Sequence, residues 1–205
     1  MPKLTQVRKS ASHLTEPIVA RLVKMHITPT TLSWLGLAIT FGAAALIATG
    51  YLFPAGLVVL VGGFFDMLDG ALARHSNQVT PFGAVLDSTL DRISEAVLLL
   101  AILIFYLFLG NQPTTGILLT SLALAGSPLV SYVRARAETI GVECKIGIFT
   151  RAERVITLAA GLLLSHLAYA LFVALAIIAA FSFVTAGQRL YYVFKQTKEK
   201  PRREP

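Results

Sequence analysis

The sequence predicts an all-α integral membrane protein, with six transmembrane helices preceded by an N-terminal amphipathic helix lying on the membrane. Three observations predict it. First, 55% of the 205 residues are hydrophobic and only 14% charged, whereas a soluble domain carries about 25% charge. Second, apolar stretches recur at 31–50, 52–74, 81–109, 114–137, 151–167 and 169–194, each near the roughly 20 residues that cross a bilayer, the fifth being the shortest. Third, all 18 Lys and Arg fall before the first stretch, in the second–third and fourth–fifth connections, in the tail, or at span ends adjoining these.

The first 25 residues are basic and mixed, without the short apolar core of a signal peptide, so no cleavable leader is expected. Within the segment 1–28, Ile18, Val19, Leu22 and Val23 recur at helical spacing while Arg21 and Lys24 fall between them. That pattern suits a helix in the interface plane. Residues 29–195 form the expected six-helix domain, punctuated by Gly50, by Gly110-Asn111-Gln112-Pro113 and by Ser165-His166. Thr28-Pro29 and Thr80-Pro81 suit an N-cap followed by the first helical residue. Thr150 and Glu153 have capping-box spacing at the fifth span, a role for Glu153 in starting a helix. Residues 196–205 are a basic tail. No internal repeat or separate soluble domain is visible.

The charge distribution bounds the partners. A net charge of +7 is compatible with nucleic acid, but the basic residues flank apolar stretches, which favours topology and anionic headgroups. No nucleic-acid partner is therefore expected. An even number of spans with basic residues on one side puts both termini in the cytoplasm, with the protein in the cytoplasmic membrane. The single cysteine, Cys144, excludes an intramolecular disulfide and a cysteine-rich metal site.

The second stretch ends Asp66-Met67-Leu68-Asp69-Gly70-Ala71-Leu72-Ala73-Arg74, and the third opens with Gly83, Asp87 and Asp91. Residues three and four apart share a helix face. Asp66, Asp69, Gly70 and Ala73 form one stripe, and Gly83, Asp87 and Asp91 another. The short turn between them predicts antiparallel neighbours whose stripes face each other near the cytoplasmic surface. Four carboxylates that close repel one another, and remaining ionised in an apolar bundle requires cations. Clustered carboxylate oxygens suit Mg²⁺, Mn²⁺ or Ca²⁺, and two divalent ions balance four negative charges. Ionisable groups inside spans are functional candidates by default, although Asp66 or Asp69 alone is also compatible with a helix cap or a pair with Arg74. Gly70, Ala73 and Gly83 leave room for a ligand, or for tight helix packing.

The pattern D-x2-D-G-x2-A-R-x8-G-x3-D-x3-D resembles the signature of the CDP-alcohol phosphotransferases, matching every fixed position. The resemblance implies Asp66, Asp69, Asp87 and Asp91 as ligands of Mg²⁺ or Mn²⁺, with two ions. It implies Asp91 as the general base for the acceptor hydroxyl, and Gly70, Ala73, Arg74 and Gly83 as the CDP pocket, with Arg74 near the diphosphate. Ile27-Thr28-Pro29-Thr30-Thr31-Leu32-Ser33 is similar to the family's T-P-N-x-L-T element, with Thr30 where Asn or Asp is usual. A homodimer is also implied.

Three further basic elements lie outside the signature: Ser131 to Glu138 with Arg134 and Arg136, Arg151-Ala152-Glu153-Arg154, and Gln188-Arg189. They resemble the S-Y-x-[KR]-A-R-A-E, R-x-E-R and Q-R-L elements of actinobacterial phosphatidylinositol-phosphate synthases. That resemblance implies CDP-diacylglycerol as donor and inositol phosphate as acceptor, with Arg134, Arg154 and Arg189 on the acceptor's phosphate, a dianion suited to several arginines. Glycerol phosphate also carries a phosphate, so phosphatidylglycerophosphate synthase is the alternative, and an ether-linked archaeal donor stays open. Arg134 and Arg189 also suit snorkelling to the interface. Arg136 suits a pair with Glu138 or Glu95, or a topology signal. Membrane prenyltransferases have differently spaced acidic motifs. A divalent-cation transporter predicts polar groups across the whole bilayer, whereas the outer halves of these stretches are almost purely apolar.

Overall fold

The computed structural model describes residues 18, 19, 21–25, 27–76, 80–110 and 113–199. Six long elements follow in order: α1 (Pro29–Ala48), α2 (Leu52–His75), α3 (Pro81–Phe108), α4 (Pro113–Thr139), α5 (Arg151–Leu163) and α6 (Ala170–Glu199). Among the described residues there is no strand. Residues 1–17 and 200–205, parts of the expected surface helix and tail, lie outside them.

Three helix starts form as their capping residues dictate. The Thr28 hydroxyl accepts from the Thr31 N–H at 3.3 Å, with Pro29 at the first helical position. The Thr80 hydroxyl accepts from the Gly83 N–H at 2.9 Å. At α5 the Glu153 carboxylate accepts from the Thr150 N–H at 2.7 Å and from the Thr150 hydroxyl. Each supplies a partner to a backbone or capping group that the helix itself leaves unpaired. Gly50 ends the α1 turn at φ +87°, a left-handed conformation that favours glycine, and α2 folds back antiparallel along α1.

α1 packs on both α2 and α3, α2 on α5, α3 on α4, α4 on α6, and α5 on α6. Ile47, Leu99, Ile102, Leu162, Leu175 and Ile178 meet in the core, each almost fully buried. Small residues permit the tightest crossings. A side chain at Gly56 would come within 2.9 Å of Leu163, and one at Gly161 within 2.5 Å of Ala174. By contrast, α2 and α3 barely touch. The short turn keeps them neighbours, and with α1 packed on both they flank a cleft lined by residues of both stripes.

Four helices, α1, α2, α4 and α6, are long and apolar enough to cross a membrane. Large apolar side chains such as Trp34, Leu57, Leu60, Leu107, Leu118 and Phe181 point outward from the bundle, as expected of a surface facing lipid. α3 departs from that pattern because Asp87, Asp91, Arg92 and Glu95 fall within its first 15 residues. α5 has 13 residues, roughly 20 Å of helix, and ends at Leu163 where the Ser165–His166 turn takes over. At the other end of the chain α6 continues to Glu199, into the segment expected as tail. Ahead of α1, residues 18, 19 and 21–24 are helical. Val19 is buried against Leu32, Leu68 and Leu72 while Ile18 and Val23 are exposed.

Candidate active site

The last turns of α2 carry Asp66, Asp69, Gly70, Ala73 and Arg74, and the first turns of α3 carry Gly83, Asp87 and Asp91. Between them lies a cleft of about 680 Å³ whose walls include Asp69, Gly70, Ala73, Arg74, Gly83 and Asp87, with Thr28 to Thr30 and Ser33 at the start of α1. Six of the eight signature residues therefore line one cavity. Asp69 is buried at 4% exposure, and its Oδ2 accepts from the Ser33 hydroxyl at 2.7 Å. Arg74 folds back over Gly70, where a Cβ would lie 3.3 Å from its Nη1. A larger residue at 70 would press on that guanidinium.

Asp66 and Asp91 are held from the opposite side. The Arg151 guanidinium donates from Nη2 to Asp66 Oδ2 at 2.5 Å, and its Nη1 forms an ion pair with Asp91 Oδ1 at 2.6 Å. One arginine on α5 thus ties together acids on α2 and α3, the two helices that barely touch. Asp66 Oδ1 points at α1, where a Cβ on Gly36 would lie only 2.9 Å away. Beyond the acids a small cavity, about 20 Å³, is lined by Asp66, Glu95, Arg151, Arg154, Thr40 and Ser94. The arrangement is layered, with a cleft, then four carboxylates, then arginines.

The donor set suits a hard divalent cation, because carboxylate oxygens are what Mg²⁺ and Mn²⁺ prefer. Among the described residues no three His, Cys, Asp or Glu converge closely enough to enclose an ion. The guanidinium between Asp66 and Asp91 supplies positive charge at that point instead. Asp66, Asp69, Asp87 and Asp91 offer the carboxylate oxygens that such an ion takes, spread over the last turns of α2 and the first turns of α3.

The three arginines singled out for a phosphate are placed differently. Arg154 is 3% exposed and donates to Glu95 from Nε at 2.5 Å and from Nη2 at 2.9 Å, leaving Nη1 buried without a protein partner. Arg189 is 5% exposed and donates from Nε to the Ile146 carbonyl at 2.8 Å and from Nη1 to the Val130 carbonyl at 2.5 Å. It therefore stitches α6 to α4 and to the α4–α5 connection, which crosses it at Gly147 with φ +138°. Arg134 is half exposed and pairs with Glu138 at 2.9 Å. Arg134 and Arg154 both lie close enough to Arg189 to interact with it electrostatically. Arg136 takes neither carboxylate considered for it, since Glu138 pairs with Arg134 and Glu95 with Arg154. Spacing i, i+4 puts 134 and 138 on one face, whereas 136 and 138 point apart.

Two residues of the site were not singled out from sequence for the roles they take here. Glu95 continues the Asp87, Asp91 stripe by one more step of four, a signal visible in the sequence. Arg151 opens the R-x-E-R element, but nothing in that spacing announces partners on two other helices.

Comparison with known proteins matches residues 26–186 to the family model for CDP-alcohol phosphatidyltransferase. The archaetidylinositol phosphate synthase of Methanothermobacter thermautotrophicus is 36% identical over 197 residues, covering 95% of this chain and 96% of that protein. Among solved structures, Mycobacterium tuberculosis phosphatidylinositol phosphate synthase with CDP-DAG bound superposes with a TM-score of 0.82 at 34% identity, over 89% of this chain and 94% of that one. The same enzyme in complex with manganese and citrate gives 0.81 at 35% identity, over 88% of each chain.

Proposed function

Because the chain belongs to the CDP-alcohol phosphatidyltransferase family, we propose that it transfers a phosphatidyl group from CDP-diacylglycerol to a hydroxyl of inositol phosphate, giving phosphatidylinositol phosphate and CMP. The observation that carries this reading is the layering of the site. The cleft lined by Asp69, Gly70, Ala73, Arg74, Gly83 and Asp87 supports a nucleotide diphosphate there, and Arg151 and Arg154 beside Asp66 support an anionic acceptor beyond it. The acceptor assignment draws support from relatives whose names share an inositol phosphate product although their lipid parts differ.

In the proposed reaction the acceptor hydroxyl oxygen bonds to the lipid-side phosphorus of the diphosphate. The bond to the bridging oxygen breaks, and CMP leaves with the electron pair. Asp91, one helical turn beyond the cleft residue Asp87 and paired with Arg151, takes the hydroxyl proton. Gly70, Ala73 and Gly83 admit the cytidine diphosphate against bare backbone, and Arg74 meets its phosphates. Arg134, Arg154 and Arg189 receive the acceptor phosphate, and the Arg154 Nη1 without a protein partner is the donor best disposed to it. Mg²⁺ or Mn²⁺, two ions held by Asp66, Asp69, Asp87 and Asp91, would neutralise the diphosphate and stabilise the departing CMP. The chain's part is to align donor and acceptor in line, which converts binding energy into rate.

The same reading places α3 and α5 across the bilayer with the other four helices, since each packs on helices long and apolar enough to span. It puts the site and both termini on the cytoplasmic face of the cytoplasmic membrane, residues 18–24 at the interface, and the protein in homodimers. A second reading changes only the donor: the similarity to an archaetidylinositol phosphate synthase favours testing an ether-linked CDP-archaeol.

The test is CMP release by purified protein with CDP-diacylglycerol or CDP-archaeol and Mn²⁺ or Mg²⁺. Inositol phosphate, glycerol phosphate, inositol and serine are offered separately. CMP is expected with inositol phosphate alone. No CMP with any acceptor overturns the transferase reading, and CMP only with glycerol phosphate overturns the acceptor.

A further inference from the structure

Among the described residues Arg151 is the one basic side chain that grips two of the signature carboxylates, and the eight-residue signature does not include it. Its two terminal nitrogens bind acids that come from different helices, at 2.5 and 2.6 Å. Its Nε is buried without a partner, so the guanidinium is not fixed on all sides as a purely structural arginine would be. One turn further along α5, Arg154 offers a contrast. Its charge is already balanced by two bonds from Glu95, and it has no call on the aspartates. The backbone under Arg151 is fixed by the Thr150–Glu153 cap, while its long side chain has several rotatable bonds. Asp66, Asp91 and Arg151 each keep 21–27% of their side-chain surface exposed, so a cation reaches them without unfolding.

A guanidinium lying between Asp66 Oδ2 and Asp91 Oδ1 and a divalent ion sharing those oxygens exclude each other, by volume and by charge. We propose that Arg151 is the protein's internal counter-cation: it occupies the place between Asp66 and Asp91 in the metal-free protein and yields it when a divalent cation binds. Metal binding and release of Arg151 are then one exchange. The empty enzyme avoids carrying four neighbouring carboxylates with no compensating charge, and the metal's apparent affinity is weakened by the contacts it displaces. The inference rests on the reading of the four aspartates as metal ligands.

The test uses detergent-purified full-length protein, with Mn²⁺ as probe and the free Mn²⁺ electron paramagnetic resonance signal as readout, beside thermal melting without metal and at saturating Mn²⁺. Arg151→Gln removes the charge. Arg151→Lys keeps it but lacks the fork that spans two carboxylates. The expected result is Mn²⁺ binding tightened about tenfold or more in Arg151→Gln, the loss of one charge-assisted contact being worth at least that factor, with Arg151→Lys between it and the parent. Metal-free Arg151→Gln should melt below the parent, and the gap should close at saturating Mn²⁺ because the exchanged state no longer uses the arginine contact. A gap that persists at saturation makes Arg151 an ordinary structural tie and overturns the proposal. Unchanged or weaker Mn²⁺ binding in Arg151→Gln overturns it as well. If neither parent nor variants bind Mn²⁺, the metal reading of the aspartates falls, and this inference with it. Binding that is present but indifferent to residue 151 sinks the inference alone.

Discussion

Replacing Glu95 by alanine leaves the Arg154 guanidinium inside the bundle with no carboxylate. Arg154 is 3% exposed and the Glu95 side chain 12%, and the two bonds between them measure 2.5 and 2.9 Å. Removing one partner of a buried pair costs about 3–5 kcal/mol, because the remaining charge stays desolvated and uncompensated. For a chain of this length each kcal/mol shifts Tm by about 2–4 °C, so Glu95→Ala should melt roughly 6–20 °C below the parent. Melting of the detergent-purified protein, followed by loss of its monodisperse size-exclusion peak after heating, measures this. The same reasoning makes a second demand. Glu95→Leu with Arg154→Met removes both charges and should recover most of the lost stability, since an apolar replacement of a buried pair is close to neutral. That double variant should still show a KM for inositol phosphate raised tenfold or more with the KM for CDP-diacylglycerol unchanged, if Arg154 meets the acceptor. A single variant that melts within about 2 °C of the parent, the shift of one surface contact, refutes the burial argument. A double variant as unstable as the single one refutes the account of uncompensated charge.

Other outcomes follow from the same geometry. Asp91→Asn should leave the fold intact but lower kcat by about 10²–10⁴, the range for losing a general base, in the CMP-release assay. Gly36→Ala should weaken Mn²⁺ binding several-fold without unfolding the protein. Its new Cβ, 2.9 Å from Asp66 Oδ1, displaces the free end of a side chain rather than backbone, and titration of Mn²⁺ against the variant reads this directly. Chelation with EDTA should abolish CMP release and Mn²⁺ restore it, whereas retention of full activity would exclude the metal from the mechanism. Arg134→Ala should change stability by no more than about 0.5 kcal/mol, as an exposed i, i+4 pair does. Its KM for inositol phosphate should nevertheless rise, and an unchanged KM leaves Arg134 to its helix.

Local chemistry was readable in advance and partner choice was not. Thr28-Pro29, Thr80-Pro81 and the Thr150–Glu153 box announce helix starts because a cap and its target lie within one turn. The acidic stripes were legible for the same reason, since four-residue spacing fixes a shared face wherever the helix sits. The shortness of their connection predicts α2 and α3 as antiparallel neighbours with facing stripes, and loop length by itself sets only how far apart two helix ends can be. The rest of each helix follows its packing on α1, and the two flank the cleft. Likewise the donors of Arg151, Arg154 and Arg189 reach partners 85, 59 and 43 residues away, and no periodicity spans such intervals. α3 and α5 fell short of the simple span criterion for two different physical reasons: charge in one, and 13 residues of length in the other.

The pairing of Arg154 with Glu95 and of Arg151 with Asp66 carries a consequence for how the protein is made. The acids are translated first, and their guanidinium partners follow 59 and 85 residues later. At about 5–20 residues per second, the ribosome leaves Glu95 and the aspartates without those arginines for several seconds. Isolated carboxylates are costly in hydrocarbon. The half-made chain must therefore keep these two helices near water, or inside the insertion machinery, until α5 arrives. Seating the acids toward one end of their helices keeps that wait short in distance as well as time, and makes the arrival of α5 the event that lets the bundle close.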